Sequence, residues 1–138
     1  GQGNGNLFAI HSSGPTNNGT NNYEIGQTAA NTSDTTPFVA WSMALDDDTV
    51  YSMEMRVVAR DTVTGDAAQI ILRGCYKRVA GGNVVQVGST DKLSNQDDPT
   101  WDANYVINST NLDVTVTGDA TNNVLWNITT IVQHVSQG

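Results

Sequence analysis

From Tyr51 to Lys77 the chain changes sides at almost every residue, and this constrains the fold more than any other feature. Tyr51, Met53, Met55, Val57 and Ala59 alternate with Ser52, Glu54, Arg56 and Arg60. After the turn-forming stretch Asp61-Thr62-Val63-Thr64-Gly65-Asp66, residues Ala68, Ile70, Leu72, Gly74 and Tyr76 alternate with Gln69, Arg73, Cys75 and Lys77. A period of two belongs to a strand with one face in oil and the other in water. Gly, Asp and Thr between two such runs supply the turn. The two runs therefore predict an antiparallel hairpin, and the pattern sets its register. Met55 faces Leu72, Val57 faces Ile70 and Tyr51 faces Tyr76, with Glu54 opposite Arg73 on the other face. A slip of one residue would set apolar against polar on every rung. The Glu54–Arg73 pair adds about 0.2–1 kcal/mol.

The same reading extends along the chain. Val39, Trp41, Met43 and Leu45 fall on one face of a strand beginning at Phe38, and Asp46-Asp47-Asp48 makes the following turn. Val84 to Val87 is a short strand ended by Gly88, and the polar residues 89–100, with Pro99, read as a loop. Trp101, Ala103, Tyr105 and Ile107 alternate with polar residues, as do Leu112, Val114 and Val116. Gly118 to Asn123 turns the chain into a last strand with Trp126, Ile128, Thr130 and Val132 inward. Trp41 and Trp126 are expected in the core. Composition agrees: 15 Asn, 17 Thr and 15 Val against 2 Glu and 2 Lys leave too few long-chain helix formers for a bundle or coiled coil. The predicted class is all-β, an antiparallel two-sheet β-sandwich of jelly-roll type. Residues 37–138 form the sandwich domain. Residues 1–36, dominated by Gly, Asn and Thr, form an extended N-terminal arm or long loop with one short strand at Leu7-Phe8-Ala9-Ile10, which is apolar on both faces.

Fourteen acids against six bases give a formal net charge of -8, and residues 1–50 contain no Lys or Arg. Such a surface repels phosphate backbones, which excludes nucleic acid as a partner. No apolar run approaches the ~20 residues of a membrane helix, so no membrane is expected as a partner, and no secretory leader is read at the start. Gly1 stands in place of an initiator methionine, so the chain is read as trimmed or as part of a longer one. Cys75 is the single cysteine, which excludes an intrachain disulfide. Stability is then expected from packing or from oligomerisation.

No nucleophile–base arrangement stands out. His11 and His134 sit at opposite ends in no motif, and no G-x-S-x-G, H-E-x-x-H or phosphate loop is present. The chain reads as non-enzymatic. Asp46-Asp47-Asp48 and the Asp97, Asp98, Asp102 group could offer oxygens to calcium, but turn positions favour Asp for its own hydrogen bonds, so no metal and no cofactor is expected. Cys75, between Arg73 and Lys77 on one face, reads as a structural thiol. The candidate ligand cluster is Trp101, Asp102, Asn104 and Tyr105, where an aromatic face and amide or carboxylate partners could hold a sugar ring. The favoured reading of Trp101 and Tyr105 is nonetheless that they point inward as core residues of an alternating strand. Val50, Val58 and Ile71, apolar on the face away from the core, are candidates for an oligomer interface, with a homotrimer as the expected state.

Several pieces in order carry a family resemblance: V-V-A-R (Val57 to Arg60), T-G-D-A-A (Thr64 to Ala68) and I-I-L-R-G-C-Y-K-R (Ile70 to Arg78). After them come V-V-Q-V-G (Val84 to Gly88), W-D-A-N (Trp101 to Asn104), V-T-V-T-G-D (Val114 to Asp119) and a closing strand with Trp126 that ends in I-V-Q-H-V. The stretch from Asp48 to Val135 resembles small β-domains of bacteriophage virion structural proteins, of tail-fibre C-terminal or capsid-surface type. The resemblance implies a homo-oligomeric sandwich on the virion surface, either a capsid decoration protein or a fibre or spike tip with a host-contact role. It has no catalytic motif to transfer. Implied partners are copies of the chain itself, other virion proteins reached through the N-terminal arm, and a host surface glycan. The chain departs from the resemblance at the last turn, Gly118 to Asn123, and residues 1–36 lie outside it. The alternative reading is a carbohydrate-binding module centred on Trp101.

Overall fold

The computed structural model describes residues 21–136 and contains eight strands. They are β1 (Asn21–Thr32), β2 (Phe38–Ala44), β3 (Thr49–Asp61), β4 (Ala67–Arg78), β5 (Val84–Gln96), β6 (Asp102–Asn108), β7 (Asn111–Thr117) and β8 (Val124–Ser136). Every pairing is antiparallel. One sheet has the order β1-β8-β3-β4-β5 and the other β2-β7-β6. The expected β-sandwich is what the chain forms. The pairing of β1 with β8 and β2 with β7, with β8 beside β3, follows the jelly-roll pattern, while β3, β4 and β5 run on as a meander.

The hairpin register is the one that alternation requires. Tyr51 faces Tyr76, Met55 faces Leu72, Val57 faces Ile70 and Glu54 faces Arg73. The inward set is almost completely shielded, with Met55, Val57, Ile70 and Leu72 all at 0% exposure. Each such side chain contributes about 1.5–3 kcal/mol relative to leaving it in water. Leu112, Val114 and Val116 of β7 close the core from the smaller sheet, and Trp126, Ile128 and Val132 of β8 line it from the larger. Arg73 Nε donates to Glu54 Oε1 at 3.1 Å, but the pair is solvated and adds only tenths of a kcal/mol.

Three expectations are corrected. The domain boundary at residue 37 falls too late: Asn21–Thr32 is a full strand, paired with β8 over all twelve residues. Among the described residues it is an edge strand, and its sequence NNYEIGQTAANT, mostly Asn, Thr, Ala and Gly around Tyr23, Glu24 and Ile25, lacks the apolar alternation that marks the inner strands. The short strand expected at Leu7–Ile10 lies outside the described residues. Second, residues 89–96 are not loop, because β5 continues to Gln96. Gly88 adopts a φ of 78° that side-chain-bearing residues avoid, and the β4–β5 register shifts there between Arg73 and Cys75. Third, the β2–β7 register shifts between Val39 and Trp41. Val39 therefore leaves the face of Trp41 and Met43 and is 49% exposed.

The ends of the sandwich are tied by acids. Arg78 donates to the carbonyls of Leu45 and Gly82 and pairs with Asp47 at 3.1 Å. Asp47 and Asp48 accept the backbone N–H groups of Gly81 and Ala80. The acidic triplet thus joins the β2–β3 turn to the β4–β5 turn. At the other end Asp61 accepts from the N–H groups of Val63 and Thr64 at 2.7 and 2.9 Å and from Asn122 Nδ2 at 3.1 Å. It clasps the β3–β4 turn to the β7–β8 turn.

The Thr64 N–H, with the Val63 N–H and the Asn122 amide, holds the Asp61 carboxyl below its ordinary pKa. The Thr100 hydroxyl and N–H do the same for Asp98. A lowered folded pKa means stability that is present above the unfolded value of about 4 and is lost as pH falls through the folded one. The melting temperature is therefore expected to drop on acidification below about pH 4. Asp61→Asn should flatten that dependence, and thermal melts of both proteins across the acid range check it.

Candidate functional site

The candidate cluster sits where β5 of the larger sheet comes beside β6 of the smaller one. The connection at 97–100 is built by short polar bonds. Asp98 accepts from the Thr100 N–H and hydroxyl at 2.9 and 2.7 Å, and Gln96 Nε2 donates to the carbonyls of Asp98 and Trp101, both at 2.9 Å. This delivers the chain into β6 with Trp101 turned inward.

Alternation then sorts the four residues. Trp101 is 1% exposed and packs at a tilt against Trp126, with ring centroids 6.1 Å apart. Tyr105 is half-buried, edge-on to Tyr76 at 5.4 Å, and donates its hydroxyl to the Leu72 carbonyl at 3.1 Å. Burial pushes its phenol pKa well above the ordinary value, with Tyr76 and Glu54 adding to the shift, so it stays protonated. Asp102 and Asn104 point out. Lys92 Nζ, from the part of β5 expected to be loop, reaches across to Asp102 Oδ1 at 2.8 Å and Asn104 Oδ1 at 2.6 Å. Asn104 Nδ2 donates to Asp102 Oδ2 at 2.9 Å, and the Ala103 N–H donates to Asp102 Oδ1. Burial opposes the Asp102 charge, but Lys92, Asn104 and the Ala103 N–H outweigh it and lower the pKa.

This arrangement is a clasp between two sheets and gives no platform for a sugar. Stacking needs an exposed ring face, and Trp101, 1% exposed, offers none, so the inward reading of Trp101 holds and the weaker alternative of a sugar-stacking ring is set aside. The alternating strand that made it visible also turns it into the core. Asp102 and Asn104 are brought together as expected, but their oxygens are engaged by Lys92 and by each other. Lys92 is the member that sequence reasoning missed. Its role depends on β5 continuing past Gly88, which local polarity did not signal.

Val50, Val58 and Ile71 lie on the outer face of the five-stranded sheet, where Val50 and Val58 are 45% and 50% exposed and Ile71 is half-buried. They do not form one cluster. Arg56 lies between the two valines on β3 and is the cross-strand partner of Ile71. Val50 instead shares a rung with Val135 on one side and with Lys77 and Val85 on the other. Cys75 is half-buried on this face. Among the described residues, no group of three or more His, Cys, Asp or Glu side chains is placed to hold a metal ion.

No protein-family model matches the chain, and no curated protein matches it in sequence. Among solved structures it is similar to a tailspike protein, gp49 from Acinetobacter baumannii bacteriophage Fri1, a capsular polysaccharide depolymerase. The TM-score is 0.43 and the identity 14%, over 89% of this chain and 19% of that one. The chain thus spans less than a fifth of that protein's length.

Proposed function

We propose that this chain is a non-enzymatic structural module of a bacteriophage virion surface, assembled as a homotrimer through the outer face of its five-stranded sheet. The observation that carries the reading is the placement of the sequence pieces resembling virion β-domains. Val57 to Arg60 lies in β3, Ile70 to Arg78 in β4, Val84 to Gly88 in β5, Trp101 to Asn104 at the entry to β6, Val114 to Thr117 in β7 and the closing piece in β8. They are consecutive elements of one packed unit, as a shared domain requires.

A building role is also supported by how the acids are used. Asp47, Asp61, Asp98 and Asp102 hold turns and sheet edges together. Asp113, 5% exposed, accepts from Ser42 Oγ at 2.5 Å and Asn108 Nδ2 at 3.3 Å. The outer face that would meet other copies carries Val50, Val58 and Ile71, with Leu93, Leu125 and Val135 also exposed or half-exposed.

The test is gold-labelled antibody against this chain on purified particles of the phage that encodes it, with the sedimentation mass of the isolated chain beside it. Labelling of capsid or tail, and a mass three times that of the monomer, is the expected result. Particles without label overturn the virion assignment, and a monomer at micromolar concentration overturns the trimer.

A further inference from the structure

The six bases of the chain are unevenly placed on its surface. Arg78 and Lys92 are tied to Asp47 and Asp102 in the contacts described above. The other four, Arg56, Arg60, Arg73 and Lys77, alternate with buried residues on β3 and β4 and are exposed on the outer face of the five-stranded sheet. The acids on that face are Glu54 and Asp91, and both are cross-strand partners of Arg73. The outer positions of β1 and β8 hold no charged residue. Among the described residues, Arg56, Arg60 and Lys77 form no ion pair. Four bases against two acids give this face a formal charge of +2, while two bases against twelve acids leave the rest of the chain at -10.

Those twelve acids include carboxylates open to a partner. Asp34 between β1 and β2, Asp46 and Asp48 between β2 and β3, and Asp97 between β5 and β6 are all exposed. Among the described residues none of the four is paired with a Lys or Arg. Asp34, Asp48 and Asp97 accept the backbone N–H groups of Thr36, Ala80 and Ala67, which leaves their charge uncompensated.

We propose that the copies join head to tail, with the basic outer face of one seated on the exposed turn carboxylates of the next. This rests on the trimer reading above and names what its contact joins. A two-fold contact of the face with itself is disfavoured, because it would press two positive surpluses together. A contact between unlike patches repeats around a ring, which is how a trimer closes. Val50, Val58 and Leu93, exposed between the charges, supply apolar area that solvated ion pairs alone do not. An anionic polysaccharide is the other partner that such a charge could attract. The outer positions of β3, β4 and β5 hold no aromatic ring on which a sugar could stack, which favours the protein partner.

Sedimentation and crosslinking of the full-length chain decide it. Raising salt from about 0.1 M to about 1 M shortens the Debye length from about 10 Å to about 3 Å, and the trimer dissociation constant should rise at least about tenfold. The double variant Arg56→Glu/Arg60→Glu should weaken the trimer as much at the lower salt, with circular dichroism and melting of the subunit unchanged, whereas Arg56→Lys/Arg60→Lys keeps it. In a mixture of isotope-labelled and unlabelled chains, a zero-length carbodiimide crosslinker should join Lys77 of one copy to an Asp of another. A trimer indifferent to salt and to charge reversal overturns this inference and leaves the trimer standing. Lys77 crosslinked only within its own chain overturns the head-to-tail contact. A monomer at micromolar concentration in the lower salt overturns both readings, and its retention on immobilised alginate, lost on charge reversal, gives the face to an anionic glycan.

Discussion

Trp101→Ala is expected to lower the unfolding free energy by about 3–5 kcal/mol, the range for removing a large aromatic side chain from a core. Trp101 is 1% exposed and lies against Trp126, whose own ring is 2% exposed, so truncation leaves a cavity between the β6 entry and β8. The two indoles are not equivalent, and the difference sharpens the test. Trp126 Nε1 donates to Thr32 Oγ1 at 2.9 Å, while Trp101 Nε1 is buried without a partner. Trp101→Phe keeps most of the packing and removes an unsatisfied donor, so its cost should stay below about 1.5 kcal/mol. Trp126→Phe removes a satisfied donor and leaves the Thr32 hydroxyl buried, which should cost about 1–3 kcal/mol in addition to any packing loss. Urea denaturation of the three variants gives the ordering directly. A Trp101→Ala protein of unaltered stability would mean that the ring is not in the core, and the sugar-stacking reading would return.

The contrast between Trp101 and Lys92 shows what local sequence can reveal. A strand announces itself when one of its faces is buried and the other solvated, and β3, β4 and β8 come close to that condition along most of their length, while β7 alternates in polarity although its second face is half-buried. Their alternation carried the hairpin register and the inward direction of Trp126 and Ile128. The strands that were missed, β1 and the second half of β5, are, among the described residues, the two edges of a five-stranded sheet facing a three-stranded one. Beyond Gly88 both faces of β5 meet water, as the exposure of Lys92, Leu93 and Ser94 shows, so no period of two is imposed on Ser89 to Gln96. In β1 the positions facing β2 are Glu24, Gly26, Thr28, Ala30 and Thr32, an acid followed by small residues beside β8, which read as linker when taken alone. The clasp of Lys92 with Asp102 and Asn104 joins different sheets across the connection at 97–100, and it forms only once β5 and β6 are both in place. No spacing in the chain encodes it.

Gly118 is expected to tolerate no side chain, and Gly118→Ala should cost about 3 kcal/mol or more, combining overpacking with a broken buried hydrogen bond. The residue is buried just after β7, and an added methyl would collide with Thr32 Oγ1 and approach Val124 Cγ2 to 3.3 Å. Thr32, the last residue of β1, is 4% exposed and is the acceptor for Trp126 Nε1. Three elements from distant parts of the sequence thus converge on one hydroxyl. Making room at 118 displaces that hydroxyl and strands the indole N–H. Removing it with Thr32→Ala should cost about 1–3 kcal/mol through the same lost bond. The two changes share a single atom, so they cannot add. In the double variant Gly118→Ala/Thr32→Ala the obstructing oxygen is gone, and the new methyl sits 3.4 Å from the remaining Cβ of residue 32. Its stability should match Thr32→Ala alone to within about 1 kcal/mol, a coupling of at least about 2 kcal/mol in the mutant cycle. Additive losses would show that the glycine is required for some reason other than the approach of Thr32. The strand at Asn21–Thr32 would then be attached to the sandwich less firmly than its register with β8 implies.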